Sequence, residues 1–127
     1  MRLFLFFILL LCIACKEEAV LPLDLDLIYI RVHNDTGQRL DAVELDFFST
    51  DEATAIYPSL DTGSSSEYQN FSRADGCEYS WKAMVGGQTI AQGGLVCDNS
   101  IPFEAGYYTL RIHCLADDCN RQEWLED

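Results

Sequence analysis

The chain has 127 residues, six cysteines and a formal charge of −13. That length allows one domain with a modest core. The charge argues against a basic nucleic-acid groove, which needs clustered lysine and arginine; spread along the chain without a long run, the acid reads as a solvated surface.

Met1 to Cys15 begins with Arg2 and continues as an apolar run, closed by Lys16, Glu17 and Glu18. The run is shorter than the roughly 20 residues that span a bilayer as a helix, and it fits the apolar region of an export signal. Cys12-Ile13-Ala14-Cys15 resembles a bacterial lipobox, although Cys12 stands where leucine is usual. The resemblance implies cleavage before Cys15 and acylation of its thiol. Acyl chains hold by buried apolar area, so Cys15 would anchor the domain to a lipid bilayer without a transmembrane helix. Cys15-Lys16-Glu17-Glu18 also resembles the surface-export signal of Bacteroidetes lipoproteins; read plainly, it is a charged tether. Either way an outer-membrane lipoprotein is expected, facing the periplasm or the cell surface. Residues 1–14 are then a signal peptide, 15–24 a lipidated tether, and 25–127 a β-sandwich domain with a short acidic C-terminal tail.

Leu25 to Val32 predicts the first strand, with a change of parity between Leu27 and Ile28 that a bulge or a strand near two sheets would explain. Asn34-Asp35-Thr36-Gly37 predicts a turn. Val43, Leu45 and Phe47 alternate with polar partners, as in a strand with one wet face. Ala55 to Leu60 is a short strand or connector. Asp61 to Ser66 predicts another turn, before a strand over Glu67 to Phe71. Cys77 to Cys97 is the clearest hairpin, two alternating strands around Gly86-Gly87. Ser100 to Phe103 suits an edge because of Pro102. Tyr107 to Cys114 is the final strong strand, and Leu115 to Asp127 is a short helix or a strap.

About seven short strands and no long amphipathic helix predict an all-β fold, a single antiparallel β-sandwich. V-x-N-x-T-G from Val32, T-G-x-S-x-E-Y from Thr62 and A-G-Y-Y-T-L from Ala105 resemble small uncharacterised lipoproteins of Bacteroidetes. That resemblance implies an immunoglobulin-like or transthyretin-like sandwich and assigns almost no chemistry.

An exported domain with four further cysteines is a disulfide candidate, with three connectivities open. A three-residue Gly86-Gly87-Gln88 connection pairs Val85 with Thr89, Trp81 with Gly93, Tyr79 with Leu95 and Cys77 with Cys97. A two-residue turn misses that pairing by one residue unless a bulge restores it. Cys77–Cys97 is therefore preferred, with Cys114–Cys119 as a small terminal loop. His113, Cys97, Cys114 and Cys119 make a poor zinc set, because C-x4-C is wide of a knuckle and an oxidising compartment favours disulfides.

Asp61-Thr62-Gly63-Ser64-Ser65 resembles the catalytic loop of aspartic proteases, but the later hydrophobic-hydrophobic-Gly motif is missing and the segment is also a common turn. His33 and His113 lack a nucleophile elbow to serve. Asp24/Asp26, Asp51/Glu52 and Asp117/Asp118 match no EF-hand. No metal, cofactor or catalytic constellation is expected, so the chain reads as non-enzymatic. The expected role is structural or adhesive, with an envelope protein as partner and no nucleic acid. The alternative is a glycan-binding accessory module, for which Tyr107, Trp124, Phe48 and Tyr57 are the rings to inspect.

Overall fold

The computed structural model describes residues 24–47, 54–72, 78–95, 104–115 and 118–127. Eight strands form there: β1 (Leu27–Asp35), β2 (Ala42–Phe47), β3 (Ala55–Tyr57), β4 (Gln69–Ser72), β5 (Tyr79–Val85), β6 (Gln88–Leu95), β7 (Gly106–Leu115) and β8 (Asp118–Glu126). They make two four-stranded sheets, in the orders β4-β1-β7-β8 and β3-β2-β5-β6. No helix occurs among the described residues, so the fold is all-β.

Alternation decides which side chains meet between the sheets. Ile28, Ile30 and Val32 of β1 and Leu110 and Ile112 of β7 point inward against Val43, Leu45, Trp81 and Ala83 of the other sheet. β-branched and aromatic side chains suit such a half-buried pleated surface. Burying each large apolar side chain contributes about 1.5–3 kcal/mol. Phe47 packs on Phe71 with ring centroids 4.8 Å apart, joining β2 to β4 across the core.

Four expectations are corrected. The strands number eight, because the acidic tail is β8, paired with β7 from Tyr108↔Glu126 to Leu115↔Asp118. The sandwich is not wholly antiparallel: β1 and β7 run parallel from Ile28↔Gly106 to Asp35↔His113. Alternation is the same beside a parallel or an antiparallel neighbour, so the sequence does not distinguish them. The parity change near Leu25 comes from a turn that precedes the strand, with Leu27 N–H donating to the Asp24 carbonyl at 3.2 Å; Leu25 is exposed.

The fourth correction concerns the β5–β6 connection. It has two residues, Gly86 and Gly87, both at positive φ (59° and 76°). A two-residue turn of that hand matches the twist of the strands. The register then shifts beyond Met84↔Thr89, and Ala83 faces Ala91, Trp81 faces Gly93 and Tyr79 faces Leu95. The bulge thus restores the expected pairing of the outer half of the hairpin. Cys77 and Cys97 lie outside the described residues, as do Cys15, Phe48 and the segment from Ser100 to Phe103.

Two polar devices tie the sandwich together. Asn34 is fully buried at the end of β1. Its amide donates to the carbonyls of Gln38 (2.8 Å) and Leu60 (3.0 Å). Its side-chain oxygen accepts from Thr36 N–H (3.1 Å) and the Thr36 hydroxyl (2.7 Å). Between the sheets, Trp81 Nε1 donates to Gln122 Oε1. Gln122 Nε2 and Trp124 Nε1 donate to the Tyr79 hydroxyl at 3.1 and 2.7 Å. Cys114 and Cys119 are disulfide-bonded where β7 turns into β8.

Candidate functional site: the outer face of the first sheet

The odd positions of β1 and β7 point away from the core. The parallel register sets them in rows: Tyr29 beside Tyr107, Arg31 beside Thr109, His33 beside Arg111 and Asp35 beside His113. Both histidines and two arginines therefore share one face of an otherwise acidic protein.

The aromatic end of this face is a cluster of three tyrosines. Tyr29 and Tyr107 stack with centroids 4.6 Å apart and an interplanar angle of 15°. Tyr68 stands edge-on to Tyr107 at 5.1 Å. The Arg31 guanidinium lies 4.9 Å from the centroid of the Tyr68 ring, a cation–π contact. Asp127 gathers the neighbouring polar groups. The hydroxyls of Tyr68 and Thr109 both donate to its Oδ2 at 2.6 Å, and Arg31 Nη2 lies 3.4 Å from Oδ1. Burial pushes the Asp127 carboxyl up, but the hydrogen bonds from Thr109 and Tyr68 and the charge of Arg31 outweigh it and hold the group below the usual carboxylate range. The Tyr68 phenol is raised by burial and by the carboxylate it donates to.

The other end of the face is ionic. Arg111 donates to Asp35 through Nε (3.1 Å) and Nη2, and Arg111 Nη1 reaches Glu123 at 3.4 Å. The hydrogen bond and then the charge of Arg111 depress the Asp35 carboxyl. His33 Nδ1 is 2.8 Å from the Ser65 hydroxyl.

The second sheet has an open groove of about 530 Å³ on its outer side, lined by Glu44, Asp46, Ser80, Lys82 and Gln92 among others. Among its described lining residues the cation is Lys82, whose Nζ is 2.6 Å from Glu44 Oε2. No group of three or more His, Cys, Asp or Glu among the described residues is placed to hold a metal ion. Asp61 sits at a turn, where Ser64 N–H donates to its carbonyl at 3.1 Å, and its carboxylate lies 3.6 Å from Arg39 in an exposed ion pair.

Of the rings singled out from sequence, Tyr107 belongs to the tyrosine cluster. Tyr57 does not: it is fully buried, and its hydroxyl donates to the Ile30 carbonyl at 2.9 Å. Burial raises that phenol strongly. Trp124 is half-buried, edge-to-face with Tyr79 at 5.3 Å. Tyr29 and Tyr68 were missed. The outward parity of Tyr29 between Ile28 and Ile30 is a sufficient signal; Tyr68 precedes its strand and carries none.

No protein-family model matches the chain, and no curated protein matches it. A solved NMR structure of a protein from Eubacterium rectale shares 12% identity with a TM-score of 0.48, over 80% of this chain and 88% of that one.

Proposed function

We propose that the chain is a non-enzymatic, lipid-anchored envelope domain that docks another envelope protein through the outer face of its first sheet. The observation that carries this is the clustering of Tyr29, Tyr68 and Tyr107 around Arg31. Tyrosine and arginine are the residues in which protein-interface energy concentrates. Cys15 is the anchor in this reading, acylated and inserted in the outer membrane.

The sandwich belongs with the transthyretin-like type in this proposal. An immunoglobulin constant-type sandwich sets strands one, two, five and four against three, six and seven. Here the second strand pairs with the third and fifth, and the first with the fourth and seventh.

A glycan is the second reading, favoured by the same rings beside Arg31 and Asp127. Sugar recognition by stacking needs an open ring face. Tyr29 and Tyr107 each give a face to the other, and Tyr68 gives one to Arg31. What they turn outward suits a protein surface better than a pyranose ring.

The test places a photo-crosslinking amino acid at position 107, and separately at position 92 on the opposite sheet, in the full chain in its native cells. Docking predicts a discrete adduct from position 107 only. Absence of that adduct, together with Tyr107-dependent retention on a polysaccharide array, would replace the protein partner with a glycan. Loss of membrane association in Cys15→Ala tests the anchor.

A further inference from the structure

The docking reading leaves open what chemistry the partner presents. We propose that Arg31, Thr109 and Tyr68 form a carboxylate-recognition site that the chain's own Asp127 fills in this structure, and that its ligand in trans is an acidic side chain of the partner protein. This rests on the docking reading for the nature of the partner, not for the existence of the site.

The donors converge with a defined direction. Arg31 Nε–H donates to Thr109 Oγ1 at 2.9 Å. The Thr109 oxygen therefore accepts from arginine, and its own proton is turned toward Asp127 Oδ2, 2.6 Å away. The Tyr68 hydroxyl donates to the same oxygen at 2.6 Å, and Arg31 Nη2 faces Oδ1 at 3.4 Å. Both carboxylate oxygens are thus engaged by donors with no acceptor among them except the hydroxyls. Charge-assisted bonds of this kind are the strong ones, and a guanidinium is suited to carboxylates by its planar fork.

The receptor half is built independently of its occupant. Arg31 and Thr109 are directly opposed in the β1–β7 ladder. Tyr68 comes from a third segment, just before β4, and its ring lies on the Arg31 guanidinium. Asp127, in contrast, follows the last residue of β8, with its N–H donating to the Tyr107 carbonyl at 3.0 Å. A fixed set of donors filled by a group at the end of a strand is the arrangement of a cis competitor. The tyrosines beside it supply apolar area on which a partner's backbone can rest, so an incoming Glu or Asp would be flanked by Tyr29 and Tyr107.

The experiment uses the full chain in detergent, with N-acetyl-glutamate N-methylamide as the probe and NMR of the Arg31 Nε–H and the Tyr68 ring as the readout. A tethered group competes at an effective concentration of millimolar order, so Asp127→Ala is expected to bind the probe about tenfold or more tighter than the native chain. Asp127→Asn, which keeps the shape without the charge, covers the case in which the alanine variant loses its fold. Adding Arg31→Gln to either background is expected to abolish the binding. No saturable shift in a folded Asp127 variant, or equal affinity in variant and native chain, would overturn the site. Glucuronate binding more tightly than the glutamyl probe would overturn the assignment to a protein. A missing crosslink from position 107 with a positive titration would remove the docking reading and leave the site.

Discussion

Trp81 and Gly93 face each other across β5 and β6, and the indole fills the space that a side chain at position 93 would need. A Cβ built on Gly93 would sit 2.6 Å from Trp81 Nε1 and 2.8 Å from Cε2. The ring cannot swing away freely, because its N–H is held by Gln122 of the opposite sheet. Gly93→Ala is therefore expected to cost about 1–3 kcal/mol, the usual range for overpacking. A urea titration followed by tryptophan fluorescence measures it.

Asn34 is the polar keystone at the other end of β1. Asn34→Ala takes one donor each from the carbonyls of Gln38 and Leu60, which also accept from the Thr36 hydroxyl and Leu40 N–H, and it removes the acceptor of Thr36 N–H, at a cost of about 1–3 kcal/mol. Asn34→Asp is expected to be no better near neutral pH, since a carboxylate accepts but cannot donate to two carbonyls. Thermal melts of the two variants give the comparison; recovery of native stability in Asn34→Asp would contradict it.

Acid is expected to destabilise the domain through Asp127 and Asp35. Both carboxyls are depressed in the folded state. The native form therefore binds fewer protons than the unfolded chain across their range. Their contribution is complete above the unfolded carboxyl value, about 4, and is lost as pH falls through the lower folded values. Denaturation midpoints between about pH 7 and 2 follow this, and Asp127→Asn is expected to flatten the acid limb.

Continuing the register from Tyr79↔Leu95 outward by two residues on each strand brings the count to Cys77 and Cys97. Peptide mapping of the full chain, prepared without reductant, is expected to find these two linked. Cys77→Ser is then expected to cost about 3 kcal/mol, the chain-entropy figure for a loop of that length. A mapped crosslink from either residue to Cys114 or Cys119 would refute the pairing.

The β5–β6 hairpin was legible because alternation and a Gly-Gly pair agreed, and its outer register held, whereas the turn length and the pairing next to the turn did not. The inward face of β1 was legible for the same reason. β8 was not, since its inward positions include Gln122, and Trp124 and Leu125 sit on opposite parities. Only the donors and acceptors of Trp81 and Tyr79 make a half-buried glutamine favourable there. Asn34 misleads in the opposite sense: an asparagine before Asp-Thr-Gly reads as an exposed turn, yet it is buried. Of the candidate site, Tyr107 and the polar parity of Thr109, Arg111 and His113 were readable. Asp127 was not, because its partners come from β1, β7 and the segment before β4, and nothing local announces that meeting.

The parallel ladder between β1 and β7 has a kinetic consequence. The strand nearest the start of the domain takes as neighbour one that lies almost at its end. Closing so long a loop comes before the contacts that reward it, and topologies of this kind fold slowly. During synthesis the first sheet has no centre until residues 106–115 have emerged. In the exported protein proposed above, this order of events would withhold the first sheet until β7 has crossed the membrane.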